Sequence, residues 1–152
     1  MPGSKKVLIA SDHAGVDLKA AIQKGLPDWT WVDLGPETHA SVDYPDYAAL
    51  LAKKIEDGDA SQGVLICGSG VGMAMSANKF RHIRATLVEN PVTARLSRQH
   101  NDANVLCLGS RILAPEYAIG ITRVFLETPF SGEPRHQARI DKIGRLELED
   151  HS

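Results

Sequence analysis

Short apolar runs recur along the chain. Each is followed by a turn rich in Gly, Asp or Asn and then by a stretch with apolar residues every three or four positions. The runs are Val7–Ala10, Thr30–Asp33, Gly63–Cys67, Arg84–Val88 and Val105–Leu108. They are apolar throughout rather than alternating, the pattern of parallel strands covered on both faces. Between them, Leu18, Ile22 and Leu26 recur at a spacing of four, and Leu51 and Ile55 do the same in a segment that opens at Pro45 and stops at Gly58. Proline in a first turn and glycine just past a last one are helix punctuation. Pro91 and Pro115 open two more helices, the second with Ala118, Ile121 and Phe125 on one face, and a last helix starts near Pro134 and runs past Ile140 and Ile143. Strands alternating with helices predict right-handed crossovers and a doubly wound, Rossmann-like α/β fold: a five-stranded parallel sheet, helices on both faces, and an added C-terminal helix.

No linker, repeat or low-complexity segment interrupts this pattern, and 152 residues suit one domain over 1–152 with its core at about 6–143. Composition changes little: 43% hydrophobic, 24% charged and a formal net charge of −2 fit a soluble globular chain without a bulk attraction for nucleic acid or a membrane surface. No apolar stretch reaches the roughly 18–20 residues of a membrane span, and polar Met1–Lys6 has no secretory-signal character. Cys67 and Cys107 are too few for a disulfide framework, and no His, Asp, Glu or Cys set has metal-ligand spacing. The expectation is a cytoplasmic protein.

In doubly wound sheets, ligands bind beyond the carboxyl ends of the strands. There stands Cys67-Gly68-Ser69-Gly70-Val71-Gly72, a cysteine closing a buried strand and a glycine-rich turn leading into a helix. Backbone N–H groups in such a turn bind anions and favour a thiolate. A thiolate beside an oxyanion pocket suits proton abstraction next to a carbonyl, because the enolate charge falls on the donors. The plainer reading is a small buried residue before a tight turn. A dinucleotide fingerprint fails, since Met73 or Met75 stands where a third glycine belongs, and no Gly-Lys-Ser/Thr completes a P-loop.

Asp12-His13 follows the first strand. A carboxylate beside an imidazole can orient a sugar hydroxyl and assist proton transfer, or the aspartate can simply start a helix. His100 and Asn101 lie in the polar stretch 97–104, which an ordinary water-facing loop would also explain. Arg135 and Arg139, four apart, share a helix face and with Arg111 could grip a phosphate through forked donors; a solvated helix surface would look the same. His39, His82 and His151 read as surface residues without partners, Cys107 as packed, and Trp29 and Trp31 as core or interface.

Taken in order, Ser-Asp-His-Ala-Gly at 11–15, Asp-Tyr-Pro-Asp-Tyr-Ala at 43–48, Cys-Gly-Ser-Gly-Val-Gly at 67–72, Asn-Lys-Phe at 78–80, the run from Leu96 to Leu106, Gly-Ser-Arg at 109–111 and the arginines at 135 and 139 resemble the ribose-5-phosphate isomerase B family. That family includes relatives acting on other sugar phosphates, and the resemblance spans about Lys6 to Ile143. It implies an aldose–ketose isomerase that interconverts ribose 5-phosphate and ribulose 5-phosphate in pentose phosphate metabolism. By resemblance, Cys67 is the base that moves a proton between C2 and C1 through a cis-enediolate. The same resemblance makes the backbone of Gly68 through Gly72 (Gly68, Ser69, Gly70, Val71 and Gly72) the anion hole. His100, with Asp12 nearby, opens the furanose ring. His13, Arg111, Arg135 and Arg139 hold the phosphate, and Tyr44 and Asn101 are further substrate contacts.

Ser69 stands where many members have threonine and offers a hydroxyl at the same reach, which places it among the catalytic residues. The resemblance implies no metal or organic cofactor. It also implies a homodimer or dimer of dimers whose sites draw on two subunits. Competing readings are the same reaction on a tetrose 4-phosphate, allose 6-phosphate or galactose 6-phosphate, a non-catalytic sugar-phosphate or nucleotide binding protein, and a subunit active only with a paralogous partner.

Overall fold

The computed structural model describes residues 5–149. Its strands are β1 (Lys6–Ser11), β2 (Thr30–Asp33), β3 (Gly63–Cys67), β4 (Ala85–Leu87) and β5 (Val105–Gly109). As the apolar runs predict, they form a single parallel sheet; its order is β2-β1-β3-β5-β4. The helices are α1 (Val16–Gly25), α2 (Tyr44–Glu56), α3 (Val71–Ala77), α4 (Pro91–Asn101), α5 (Pro115–Glu127) and α6 (Pro134–Leu146), with a short 3-10 turn at His13–Gly15. Proline occupies the first or second position of α2, α4, α5 and α6, where its missing N–H costs no helical bond.

Residues 64–67 of β3 and 105–108 of β5 are buried without exception, and the side-chain alternation of a strand explains how both faces use them. Val7, Ile9, Val64, Ile66, Leu106 and Leu108 join α1, α4 and α5 in one core layer. Leu8, Ala10, Leu65, Cys67, Val105 and Cys107 join α2 and α3 in the other. Burial pushes the Cys107 thiol well above its ordinary value, with Cys67 adding to the shift, so Cys107 packs as an apolar residue. Trp29 and Trp31 lie against the first layer, and the Trp31 indole N–H donates to Leu26 O at 2.9 Å.

Strand β4 is shorter than the run Arg84–Val88. Side-chain amides substitute for ladder bonds at its start: Asn104 Oδ1 accepts from Arg84 N–H at 2.8 Å, and Asn78 Oδ1 accepts from Ala85 N–H at 2.8 Å while its Nδ2 donates to Ala85 O at 3.0 Å. The Asn78 of the Asn-Lys-Phe segment therefore covers the open edge of the sheet, where unpaired backbone would otherwise invite another strand.

His39 is exposed as expected but has a partner, since its Nε2 lies 2.9 Å from Asp17 Oδ1. The loop between β2 and α2 brings the two together, a contact without signature at a separation of 22 residues. His82 is exposed with φ 66°, and His151 lies outside the described residues. Among the described residues no helix is long and apolar enough to cross a membrane.

Candidate active site

The order of the strands reverses between β1 and β3, the switch point at which doubly wound sheets bind ligands. The turns after β1, β3 and β5 meet there. Cys67 ends β3, is 4% exposed, and its Sγ accepts a hydrogen bond from Gly70 N–H at 3.1 Å. That bond points a backbone donor directly at the sulfur. Ser69 Oγ accepts from Val71 N–H at 3.2 Å and so closes the turn. The N–H groups of Gly68, Ser69 and Gly72 have no partner among the described residues. Gly70 and Val71, expected in the anion hole, spend their N–H groups on Cys67 Sγ and Ser69 Oγ, which leaves these three N–H groups unpaired beside Cys67.

Two glycines allow this turn to exist. Gly70 has φ +81°, and a Cβ there would meet Leu87 Cδ1 at 2.6 Å and Leu108 C at 2.9 Å. Gly109, at the end of β5, lets the turn lie directly on that strand: its Cβ would stand 2.6 Å from Ser69 O and 2.7 Å from Ser69 C. Backbone cannot swing aside as a side chain can. Gly109→Ala is therefore expected to lower stability by about 1–3 kcal/mol through overpacking and to lower turnover by shifting the turn. Thermal unfolding and kcat on the same preparation check both effects.

Arg111 and Tyr44 flank the turn. A Cβ on Gly68 would meet Arg111 Nη1 at 2.8 Å, and one on Gly72 would overlap the Tyr44 ring. Asp12 follows β1, its N–H bonded to Ile66 O at 3.0 Å, which sets it one residue from Cys67 across the β1–β3 pair. It is 7% exposed, and its Oδ1 accepts from Ala14 N–H at 2.9 Å, capping the 3-10 turn. Its capping role is thus real, with the second carboxylate oxygen left over. His13 Nδ1 lies 3.2 Å from the backbone of Val42. Asp12, His13, Tyr44, Cys67, Gly68, Ser69, Gly70, Val71, Gly72 and Arg111 therefore form one neighbourhood at the carboxyl edge of the sheet.

The remaining candidates lie elsewhere in the same chain. Helix α4 leaves the carboxyl end of β4 and runs back to the start of β5, and its 11 residues span roughly 16 Å. Its last residues, His100 and Asn101, are therefore at the amino edge of the sheet. Nearby, Asn104 O accepts from Gly63 N–H at the start of β3, while Cys67 closes the far end, roughly 13 Å along the strand. Arg135 and Arg139 lie in the first half of α6, which packs beside α4; the segment leading into it is tied to α4 where Ser131 N–H donates to Gln99 O at 3.2 Å. Both arginines are exposed, and Arg135 Nε lies 3.0 Å from Glu133 Oε2. Within one chain, His100 is not near Asp12.

His136, between the two arginines, has no role in the sequence reading, yet it is 7% exposed and its ring stacks on that of His100. Its spacing of four from Ile140 was the available signal, since that places it on the buried face of α6. Among the described residues, no group of three or more His, Cys, Asp or Glu could hold a metal ion.

Fold and site together define a doubly wound α/β enzyme with a thiol and a glycine-rich turn at its switch point. The chain belongs to the ribose/galactose isomerase family, whose model, described as Ribose/Galactose Isomerase, matches residues 7–143. It is 41% identical to the ribose-5-phosphate isomerase B of Escherichia coli over 145 residues, covering 94% of this chain and 97% of that protein. A solved ribose-5-phosphate isomerase B from Mycoplasma genitalium, with bound ribulose-5-phosphate, superposes with TM-score 0.88 at 48% identity, covering 95% of this chain and 97% of the other. The Trypanosoma brucei type B enzyme superposes with TM-score 0.91 at 43% identity, covering 94% and 99%.

Proposed function

We propose that this protein interconverts ribose 5-phosphate and ribulose 5-phosphate, with Cys67 as the base. The observation that carries the substrate is the ribulose-5-phosphate bound to a relative 48% identical over nearly the whole chain. The Cys67 thiolate removes the proton from C2 of the open aldose, and the electron pair moves toward the C1 carbonyl oxygen. The resulting enediolate lies against the N–H groups of Gly68, Ser69 and Gly72, which are preorganised for it. The same sulfur returns the proton at C1, while a proton moves from the C2 hydroxyl to the C1 oxygen, giving the ketose. This reading puts the protein in the pentose phosphate pathway, in the cytoplasm.

A complete site takes two copies of the chain. Cys67, Asp12 and Arg111 come from the carboxyl edge of one sheet, and His100, Asn101, Arg135 and Arg139 from the amino edge of another. In a two-fold dimer each copy gives and receives the same set. Mixing Cys67→Ala with His100→Asn, each nearly inactive alone, is then expected to restore about one quarter of wild-type activity, because random pairing makes half the dimers mixed and each mixed dimer holds one intact site. A site built within one chain would restore none.

The substrate itself is tested by coupled-assay turnover of ribose 5-phosphate beside allose, galactose and tetrose phosphates. A preference for one of the others would keep the chemistry and change the pathway. No turnover on any would make the protein a binder or half of a hetero-oligomer.

A further inference from the structure

His136 lies in the first turn of α6, flanked by a proposed phosphate grip in which it has no part. Its Nε2 has no hydrogen-bond partner among the described residues, and Glu133 Oε2 is 3.7 Å away, beyond hydrogen-bond reach. A buried nitrogen in that state adds nothing to stability, which leaves the face of the ring as the productive part of the residue. That face lies on His100, with centroids 4.3 Å apart and planes 16° from parallel. Among the described residues no hydrogen bond holds the His100 ring, so the stack is what sets its plane.

The charges around the pair fit this arrangement. His100 faces His136 from α4, and Glu133 just before α6 and Arg135 and Arg139 on α6 surround it. Burial first, then His100 and Arg135, lower the His136 pKa from its ordinary value, with Glu133 opposing and Arg139 adding slightly. A position at a helix N-terminus works in the same direction.

Resting on the reading of His100 as the ring-opening group, we propose that His136 is a positioning residue for ring opening. By face-to-face stacking it holds the His100 imidazole at one angle toward a sugar bound at the other copy's Cys67 turn. Opening breaks the C1–O4 bond, with its electron pair and a proton going to O4, while the O1 hydroxyl loses its proton and C1=O forms. An acid/base whose plane is free to swing meets O4 poorly. The later transfer at Cys67 does not depend on His136.

The test uses two substrates. Ribose 5-phosphate arrives mostly cyclic, whereas its 4-deoxy analogue lacks the hydroxyl that closes the furanose and arrives open. His136→Ala is expected to lower kcat/KM for ribose 5-phosphate about 10–100-fold, since displacing a catalytic group by about 1 Å costs up to that much. The open analogue should change by less than about twofold. His136→Phe, which keeps a flat ring without nitrogens, should recover most of the loss. Equal slowing of both substrates by His136→Ala, or no recovery with phenylalanine, overturns the proposal. His100→Asn run in parallel separates the two levels: if it slows both substrates alike, the ring-opening role of His100 falls, and His136 with it. If it selectively slows the cyclic substrate while His136→Ala leaves that substrate unaffected, only the positioning role falls.

Discussion

Cys67→Ala is expected to fold normally and to turn over ribose 5-phosphate about 10²–10⁴-fold more slowly, the usual worth of a positioned general base. The change removes one buried sulfur. Core truncations of that size cost little beside the several kcal/mol of larger ones, so melting should shift only slightly. Cys67→Ser makes the sharper comparison, because a hydroxyl can still accept from Gly70 N–H yet is a far weaker acid than a thiol. It should be nearly as inactive as the alanine variant. Substrate carrying deuterium at C2 supplies a second readout, since washout into solvent requires the first proton transfer. If Cys67→Ala kept normal turnover and washout, the thiolate mechanism would be finished, whatever the fold.

The largest expected loss of stability comes from Asp33. Lys19 has only 3% of its side chain exposed. Its Nζ donates to Asp33 Oδ1 at 2.6 Å and to Pro36 O at 2.8 Å. Gln23 Nε2 donates to the other carboxylate oxygen at 2.9 Å, and Gly35 N–H to Oδ1 at 2.8 Å. Burial alone would raise the Asp33 pKa, but the hydrogen bonds from Lys19, Gln23 and Gly35 outweigh it and hold the carboxyl below its ordinary 3.8.

Removing one partner of a buried pair costs about 3–5 kcal/mol. With the carboxylate itself 35% exposed, Asp33→Ala should fall at the lower end, near 3 kcal/mol. The pH dependence has a definite sign. A carboxyl whose folded pKa is depressed stabilises fully above its ordinary value and loses that contribution as pH falls through the lowered one. The stability gap between wild type and Asp33→Asn, measured by urea unfolding, should therefore be constant near neutrality and close below about pH 4. A gap that persisted in acid would mean that shape, not charge, holds Lys19.

Much of this protein is legible from local patterns. All five strands and the helix starts at Pro91, Pro115 and Pro134 follow from apolar runs and from proline and glycine placement, because those signals act within a few residues. The Cys67 turn is legible for the same reason: its left-handed Gly70 and its sulfur–amide bond are made by neighbours in sequence. Lys19 and His136 are not. A lysine or a histidine on a helix reads as solvent-facing until a distant partner is known, and Asp33 and His100 are supplied by other elements.

By itself, then, the sequence determined the alternating strands and helices, the glycine-rich turn after Cys67 and the family to which they belong. Only the tertiary structure decided the strand order, in which β5 lies between β3 and β4. Pairing between distant segments has no local signature, since it depends on which apolar faces cover one another. That order brings Asp12, Cys67 and Arg111 to one edge of the sheet. The direction of α4 carries His100 to the opposite edge, and the same packing sets His136 against it.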